Sequence, residues 1–202
     1  MAKSKKLNYT TISRDALKIM MSITDGAHNV EHIVRVYDWC RELAKNYPKA
    51  DLNVLKVAAY WHDVGRKYES KEKDDHNEKS SFEVEKYLRK QKASEEFISK
   101  VKYAVENHSF KFSPKTIEGK ILHDADKLAF MSDHAVPDVL NSMKEGYETA
   151  RFKRKHLKKG LTAFYDNQDY LYNGMMLSES KNYYRIIKKD FIKIIKEVID
   201  QI

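Results

Sequence analysis

Apolar residues recur at intervals of three and four along almost the whole chain, and the alternation that marks half-buried strands is nearly absent. A chain patterned this way buries its apolar surface by packing helices against one another, so an all-α bundle is expected. Only six Gly and three Pro are available to interrupt it. At 202 residues the chain is long enough for one core and short for two, so a single domain over 1–202 is expected.

A first short helix is expected over about Ser13 to Ser22, with Ser13 as N-cap and Asp15 in the first turn, before Thr24-Asp25-Gly26 breaks the pattern. A second, about Asn29 to Tyr47, carries Val30, Ile33, Val34, Tyr37 and Leu43, and Pro48 ends it. The third, about Leu52 to Asp63, is apolar nearly all round (Val54, Leu55, Val57, Ala58, Ala59, Trp61), the mark of a buried central helix, with Gly65 at its end. A charged loop, Lys67 to Asp75, leads to a fourth helix over about Glu78 to Gln91. Ser94, followed by Glu95 and Glu96, starts a fifth that ends near His108. Ser113-Pro114 reads as N-cap and first residue of a sixth, with Ile117, Ile121, Ala125 and Leu128 on one face. Two or three more helices follow from Pro137. The last, about Asn182 to Ile202, sets Tyr184, Ile187, Phe191, Ile194, Ile195 and Val198 on a core-facing stripe.

Charge and composition narrow the function classes. Charged residues make up 34% of the chain and aromatics 11%, which suits amphipathic helices better than disorder. No run of about 18 apolar residues occurs, so no membrane span is expected. The basic N-terminus, Met1 to Leu7, lacks the apolar run of a signal peptide. The one cysteine, Cys40, has no partner for an internal disulfide, and a thiolate metal site needs more of them. A soluble, cytoplasmic protein is expected. The net charge of +8 is concentrated in Lys3 to Lys6 and in Arg151 to Lys159 (RFKRKHLKK). Such a run is ordinarily a solvated helix face. It also attracts phosphate-bearing substrates or nucleic acid, and charge alone does not separate these readings.

The chemistry lies where polar residues interrupt apolar helices. His62 and Asp63 close the most apolar helix of the chain. A lone buried His is ordinarily a hydrogen-bonded core residue. An adjacent Asp shifts the balance, because an ionised carboxylate in a core is costly unless paired or bound to metal. Further donors stand on neighbouring helices: His28 and His32, four apart on the second; His108 at the end of the fifth; Asp124 and Asp126 within the sixth. Each alone fits a surface or capping role. Occurring together at helix ends and on apolar helices, they point to a divalent cation.

The ordered set of HIVRV at 32–36, WHDVGRK at 61–67, ENHSF at 106–110 and HDADKL at 123–128 resembles the HD superfamily of metal-dependent phosphohydrolases, and is most similar to its small stand-alone members. The resemblance runs from about Gly26 to Phe130, and the C-terminal third, packing as helices over 137–202, is similar only loosely. It implies His32, His62, Asp63 and Asp126 as ligands of one divalent metal, with Asp126 preferred to Asp124 because the family's ligand immediately precedes the Lys or Arg. His76, in DDHNEKSS, matches a His that follows the HD pair in many members, and with His108 it implies a second metal or a role on the phosphate. The chain departs from close relatives after Leu128, where Ala129 to His134 replace an Asp and a Gly-containing helix, a difference that bears on specificity.

The implied function is hydrolysis of a phosphoester or phosphoanhydride of a nucleotide or other small phosphate by metal-activated water. The alternative is a metal-binding regulatory or nucleic-acid-associated module with weak or no hydrolysis. A nitrogen and oxygen donor set without sulfur suits Mn, Fe, Ni, Zn or Mg alike. Arg66, Lys67 and Lys127, beside the ligands, are candidates to balance phosphate charge. His76 and His108 are candidates for the general acid, and Asp124 for a carboxylate that orients a ligand His. Tyr165, Tyr170, Tyr172, Tyr183 and Tyr184 are candidates to wall the pocket or stack on a base, or else are packing residues.

Overall fold

Polar side chains at the starts of apolar runs decide where most helices begin. Asn8 accepts from the Thr11 amide ahead of α1 (Tyr9–Met20), Asn29 from His32 ahead of α2 (Val30–Ala44), and Asp51 from Asn53 and Val54 ahead of α3 (Leu52–Trp61). Asp75, Ser94 and Thr116 do the same for α4 (His76–Lys90), α5 (Glu95–Glu106) and α6 (Ile117–Phe130). A 3-10 turn, Val64–Tyr68, joins α3 to the segment before α4. Then come α7 (Arg154–Asp166), α8 (Tyr170–Gly174) and α9 (Ser178–Ile199).

The computed structural model describes residues 7–23, 28–68, 75–131, 136–137, 140–141 and 154–202, with 154–156 in backbone only. No strand is present among them, and the fold is all-α. No helix among them is long and apolar enough to cross a membrane. The Lys3 to Lys6 run, the Thr24-Asp25-Gly26 break, positions 69–74 of the charged loop, positions 132–134 of the departure after Leu128, and positions 151–153 of the basic run lie outside the described residues.

Several boundaries differ from expectation, the first three through a competing cap. Asn8 starts α1 ahead of Ser13, which lies buried inside it. Asp75 starts α4 two residues before Glu78, which puts His76 in the first turn. Thr116, not Ser113, caps α6. Pro114 is instead buried against Gly119, where a Cβ would come within 2.9 Å of its own Cβ. The helix α3 stops at Trp61, so His62 and Asp63 sit in the turn beyond it. Gly65 lies inside the 3-10 turn and has a packing reason: a Cβ there would meet the His76 carbonyl at 2.4 Å and the Ser80 amide at 2.5 Å. The last helix begins at Ser178 rather than Asn182.

The third helix holds the centre, with Val54, Leu55, Val57, Ala58, Ala59 and Trp61 buried as its composition predicts. It packs on α1, α2, α5 and α6, while α4 packs on α5 and the 3-10 turn. Tyr184, Phe191, Ile195 and Val198 of α9 are buried as expected, with Ile187 and Ile194 half-buried. Of the C-terminal helices, α9 packs on α7 and on α6 of the core. Polar ties reinforce this docking: Tyr47 donates to Glu179, and Tyr183 donates to Glu42 at 2.9 Å while packing edge-on against Trp39.

Candidate metal centre

Five separate elements deliver polar side chains to one point. His32 comes from the first turn of α2, His62 and Asp63 from the turn after α3, and His76 from the first residue of α4. His108 follows the end of α5, and Asp126 lies on α6. One donor atom each from His32, His62 and Asp63 lie within 4.8 Å of one another, and the same holds for Asp63, His76 and His108. Asp63 belongs to both sets. Its Oδ2 is 3.4 Å from His62 Nε2 and 3.9 Å from His32 Nε2, while its Oδ1 is 3.5 Å from His76 Nε2 and 3.8 Å from His108 Nε2. Asp126 Oδ1 lies 3.1 Å from His32 Nε2 and 3.7 Å from His62 Nε2.

Ring orientation is set by backbone. His62 Nδ1 meets the Ala59 carbonyl at 2.7 Å and His108 Nδ1 meets that of Val105 at 2.6 Å. Each carbonyl can take an Nδ1–H and so leave Nε2 as the lone-pair atom facing the cluster, the usual arrangement behind a metal-ligating His. The Nε2 atoms of His32 and His62 and Asp63 Oδ2 are buried without a hydrogen bond, while Asp63 Oδ1 has the Arg66 guanidinium beside it. An unsatisfied buried polar group costs about 1–3 kcal/mol, so three in one cluster favour an ion that all of them can bind. The 3.1–3.9 Å separations are close to the edges of a ligand shell about 2.0–2.2 Å from one ion, roughly 2.8–3.6 Å. The residues fit a divalent metal ion.

The charges are arranged to the same end. Burial alone would raise the Asp63 carboxyl; Arg66, then His62 and His28, outweigh it and hold Asp63 well below the usual carboxylate range. Asp126 is likewise held low against burial, by His32 and then His62. His62 sits above the ordinary imidazole value because Asp63 and Asp126 overcome its burial. Burial depresses His32, depresses His76 with help from Arg66, and brings His108 down to about 4.

The other sequence candidates end in different places. His28 lies ahead of the α2 cap with its ring centroid 5.8 Å from that of His32. Arg66 Nε is 2.8 Å from Asp63 Oδ1 and Nη2 is 3.2 Å from His76 Nε2, so its guanidinium braces the donors. Lys67 is exposed on the 3-10 turn. Lys127 is buried, its Nζ 2.8 Å from His123 Nε2 and 3.0 Å from the His123 carbonyl. Asp124 meets His123 Nδ1 at 2.9 Å and accepts from the Met176 and Leu177 amides, so it ties α6 to the segment before α9 and orients no donor of the cluster. Tyr183 and Tyr184 are interface residues, the latter donating to the Gln168 carbonyl. Sequence reasoning passed over Asn77, which donates to the Glu106 carbonyl at 3.1 Å and lies 3.3 Å from His108 Nδ1. Its only sequence signal is its place beside His76.

The model of the HD domain family matches residues 29–131, just over half of the chain. The chain belongs to the HD-domain family. The match contains all six donor residues, from His32 to Asp126. No protein of curated function matches this HD domain. Among solved structures it is similar to a predicted HD superfamily hydrolase from an uncultured Thermotogales bacterium, at 28% identity over 80% of this chain and 87% of that one, TM-score 0.54. Bacillus subtilis YpgQ in complex with ADP shares the fold at 18% identity, TM-score 0.64, over 94% of this chain and 97% of that one. A Listeria innocua protein does so at 19% identity, TM-score 0.62, over 95% and 96%.

Proposed function

We propose that this HD domain is a metal-dependent phosphohydrolase acting on a small phosphate compound, a nucleotide before any other. The observation that carries the reading is the set of buried nitrogen and carboxylate donors on His32, His62 and Asp63 that make no hydrogen bond. With Asp126 they would hold the ion, which when bound acts as a Lewis acid on a phosphoryl oxygen and acidifies a water toward neutral pH. Asp126 has 21% of its side chain exposed against 3% or less for His32, His62 and Asp63, so substrate and water approach along the α6 side. Arg66 keeps Asp63 ionised and aimed. Burial holds His76 and His108 below the ordinary imidazole value, which disfavours the imidazolium that would protonate a leaving group; with Asp63 they suit a second cation better. Lys67, exposed four residues from Asp63, suits attraction of the substrate's phosphates. The nucleotide reading is supported by the ADP complex of YpgQ, which shares the fold.

The test is a substrate panel of nucleoside mono-, di- and triphosphates and base-free phosphates, run on protein reconstituted in turn with Mn²⁺, Fe²⁺, Ni²⁺, Zn²⁺ and Mg²⁺. Phosphate or pyrophosphate release is expected with metal, and is lost with chelator. Asp63→Ala is expected to lose both bound metal and turnover. A variant that retained both would sink the reading.

A further inference from the structure

Two residues beyond His108 the chain carries Phe110, a phenylalanine 39% exposed. Two residues of backbone span at most about 7 Å, so the Phe110 Cα lies within that distance of the His108 Cα. Tyr170, the first residue of α8 and 49% exposed, lies nearly parallel to Phe110, with ring centroids 5.7 Å apart and planes 21° apart. The pair has a firm base. Lys127 Nζ is 4.2 Å from the Phe110 centroid and is itself held on His123; Phe164 packs against Tyr170 at 5.9 Å. Gly174 closes α8 against both Phe110 and Lys127: a Cβ there would stand 3.8 Å from Phe110 Cδ1 and 3.9 Å from Lys127 Cε. Three other tyrosines of the region have different work, Tyr172 accepting from Arg185, Tyr183 donating to Glu42 and Tyr184 to Gln168. A supported pair of stacked rings left open to water beside a buried donor cluster is an unusual use of apolar surface, and such surface marks binding sites.

We propose that Phe110 and Tyr170 are the stacking platform for the base of a nucleotide whose phosphates reach the His/Asp cluster, so that the substrate class is nucleotides rather than base-free phosphates. The inference rests on the phosphohydrolase reading above. The base extends the aromatic stack, and because every base has a flat π-face, binding tolerates different bases and favours purines by stacking area. Lys127 acts from beneath as the support of Phe110, which gives its burial beside Asp126 a purpose that phosphate contact does not.

The experiment compares KM for a purine nucleoside triphosphate with KM for inorganic tripolyphosphate in metal-reconstituted wild type, Phe110→Ala, Tyr170→Ala and Phe110→Trp. Stacking on an aromatic side chain is worth roughly 5- to 150-fold in binding, so each alanine variant is expected to raise the nucleotide KM at least about fivefold more than the tripolyphosphate KM. Phe110→Trp is expected to restore it. Phe82→Ala, on an exposed ring of α4, serves as the control and leaves nucleotide KM unchanged. Equal losses on both substrates, or no rise in nucleotide KM, overturn the platform. A wild type that cleaves tripolyphosphate but no nucleotide overturns it too while the phosphohydrolase reading stands; one that cleaves no compound of the full substrate panel with any metal sinks that reading itself.

Discussion

Asp63 is the residue on which both donor sets turn, one oxygen facing His62 and His32 and the other facing His76 and His108. Its charge is kept by Arg66, 2.8 Å away. Removing the guanidinium leaves the donors in place but lets burial push the Asp63 carboxyl upward. Arg66→Ala is therefore expected to weaken metal binding about 10- to 100-fold, the cost typical of an outer partner, while Asp63→Ala abolishes it. Calorimetric titration with Mn²⁺ checks both, and equal losses for the two variants contradict the bracing role. The pair Asp124 and Asp126 makes a second comparison. Asp124 accepts from Met176 and Leu177 amides in a fully buried setting, so Asp124→Ala strands those donors, at about 1–3 kcal/mol each. For a chain this long that lowers Tm by roughly 4–24 °C, and metal content of the folded fraction is retained. Asp126→Ala is expected to do the reverse, costing metal and sparing Tm of the metal-free protein. In the sequence the two aspartates look alike, two positions apart in HDADKL; only the direction each takes around α6 separates them, and that depends on which neighbour packs on which face.

Element positions were legible in the sequence to the extent that one local signal dominated. The uniformly apolar run of α3 and the Ser94 cap of α5 sit where expected, because no competing residue stands nearby. Where two cap-forming residues lie close together the sequence does not choose between them: the outer one, Asn8, starts α1 ahead of Ser13, whereas the inner one, Thr116, starts α6 after Ser113. At α4, Asp75 starts the helix ahead of Glu78. The consequence at α4 is functional, for it brings His76 into the first turn and so to the centre. Of the donors, His32, His62, Asp63 and His108 stand out in the sequence at helix ends or on apolar helices, while His76 and the choice of Asp126 over Asp124 come only from the resemblance; the pairing of Lys127 with His123 has no signal, since a buried lysine held on a histidine leaves no pattern in a single sequence. Gly65 was read as a helix stop and proves to be a contact. The backbone of α4 crosses so close to it that an added methyl would overlap the His76 carbonyl and the Ser80 amide, neither of which can turn aside. Gly65→Ala is expected to push α4 off the 3-10 turn, costing about 1–3 kcal/mol as overpacking does. It is also expected to reduce loading of the set that contains His76 more than the set that contains His32. Metal stoichiometry beside a thermal melt distinguishes this from uniform destabilisation.

For the whole molecule, the helices converge on a cluster whose unmet donors a cation satisfies, so folding and metal binding are coupled. A ligand that binds only the folded state at a hundred times its Kd adds about 2.7 kcal/mol of stability, which for this length is about 5–11 °C in Tm. Chelator is expected to remove that increment. Its pH dependence follows from His62, whose ring must be neutral at Nε2 to hold an ion and whose pKa the two aspartates raise above the ordinary imidazole value of about 6.5. In the metal-free protein the raised value contributes stability that is fully present below the unfolded pKa and is lost as pH rises through the folded one. In the loaded protein that proton is displaced by the ion. The two effects have opposite sign, so the Tm difference between loaded and chelated protein is expected to be small at pH 5.5 and to grow steeply to pH 8. Asp63 and Asp126, both held low, stay ionised over that whole window and contribute nothing to the slope. Paired thermal melts at half-unit pH steps measure it; a Tm difference that is flat from pH 5.5 to pH 8 removes His62 from the coordination shell.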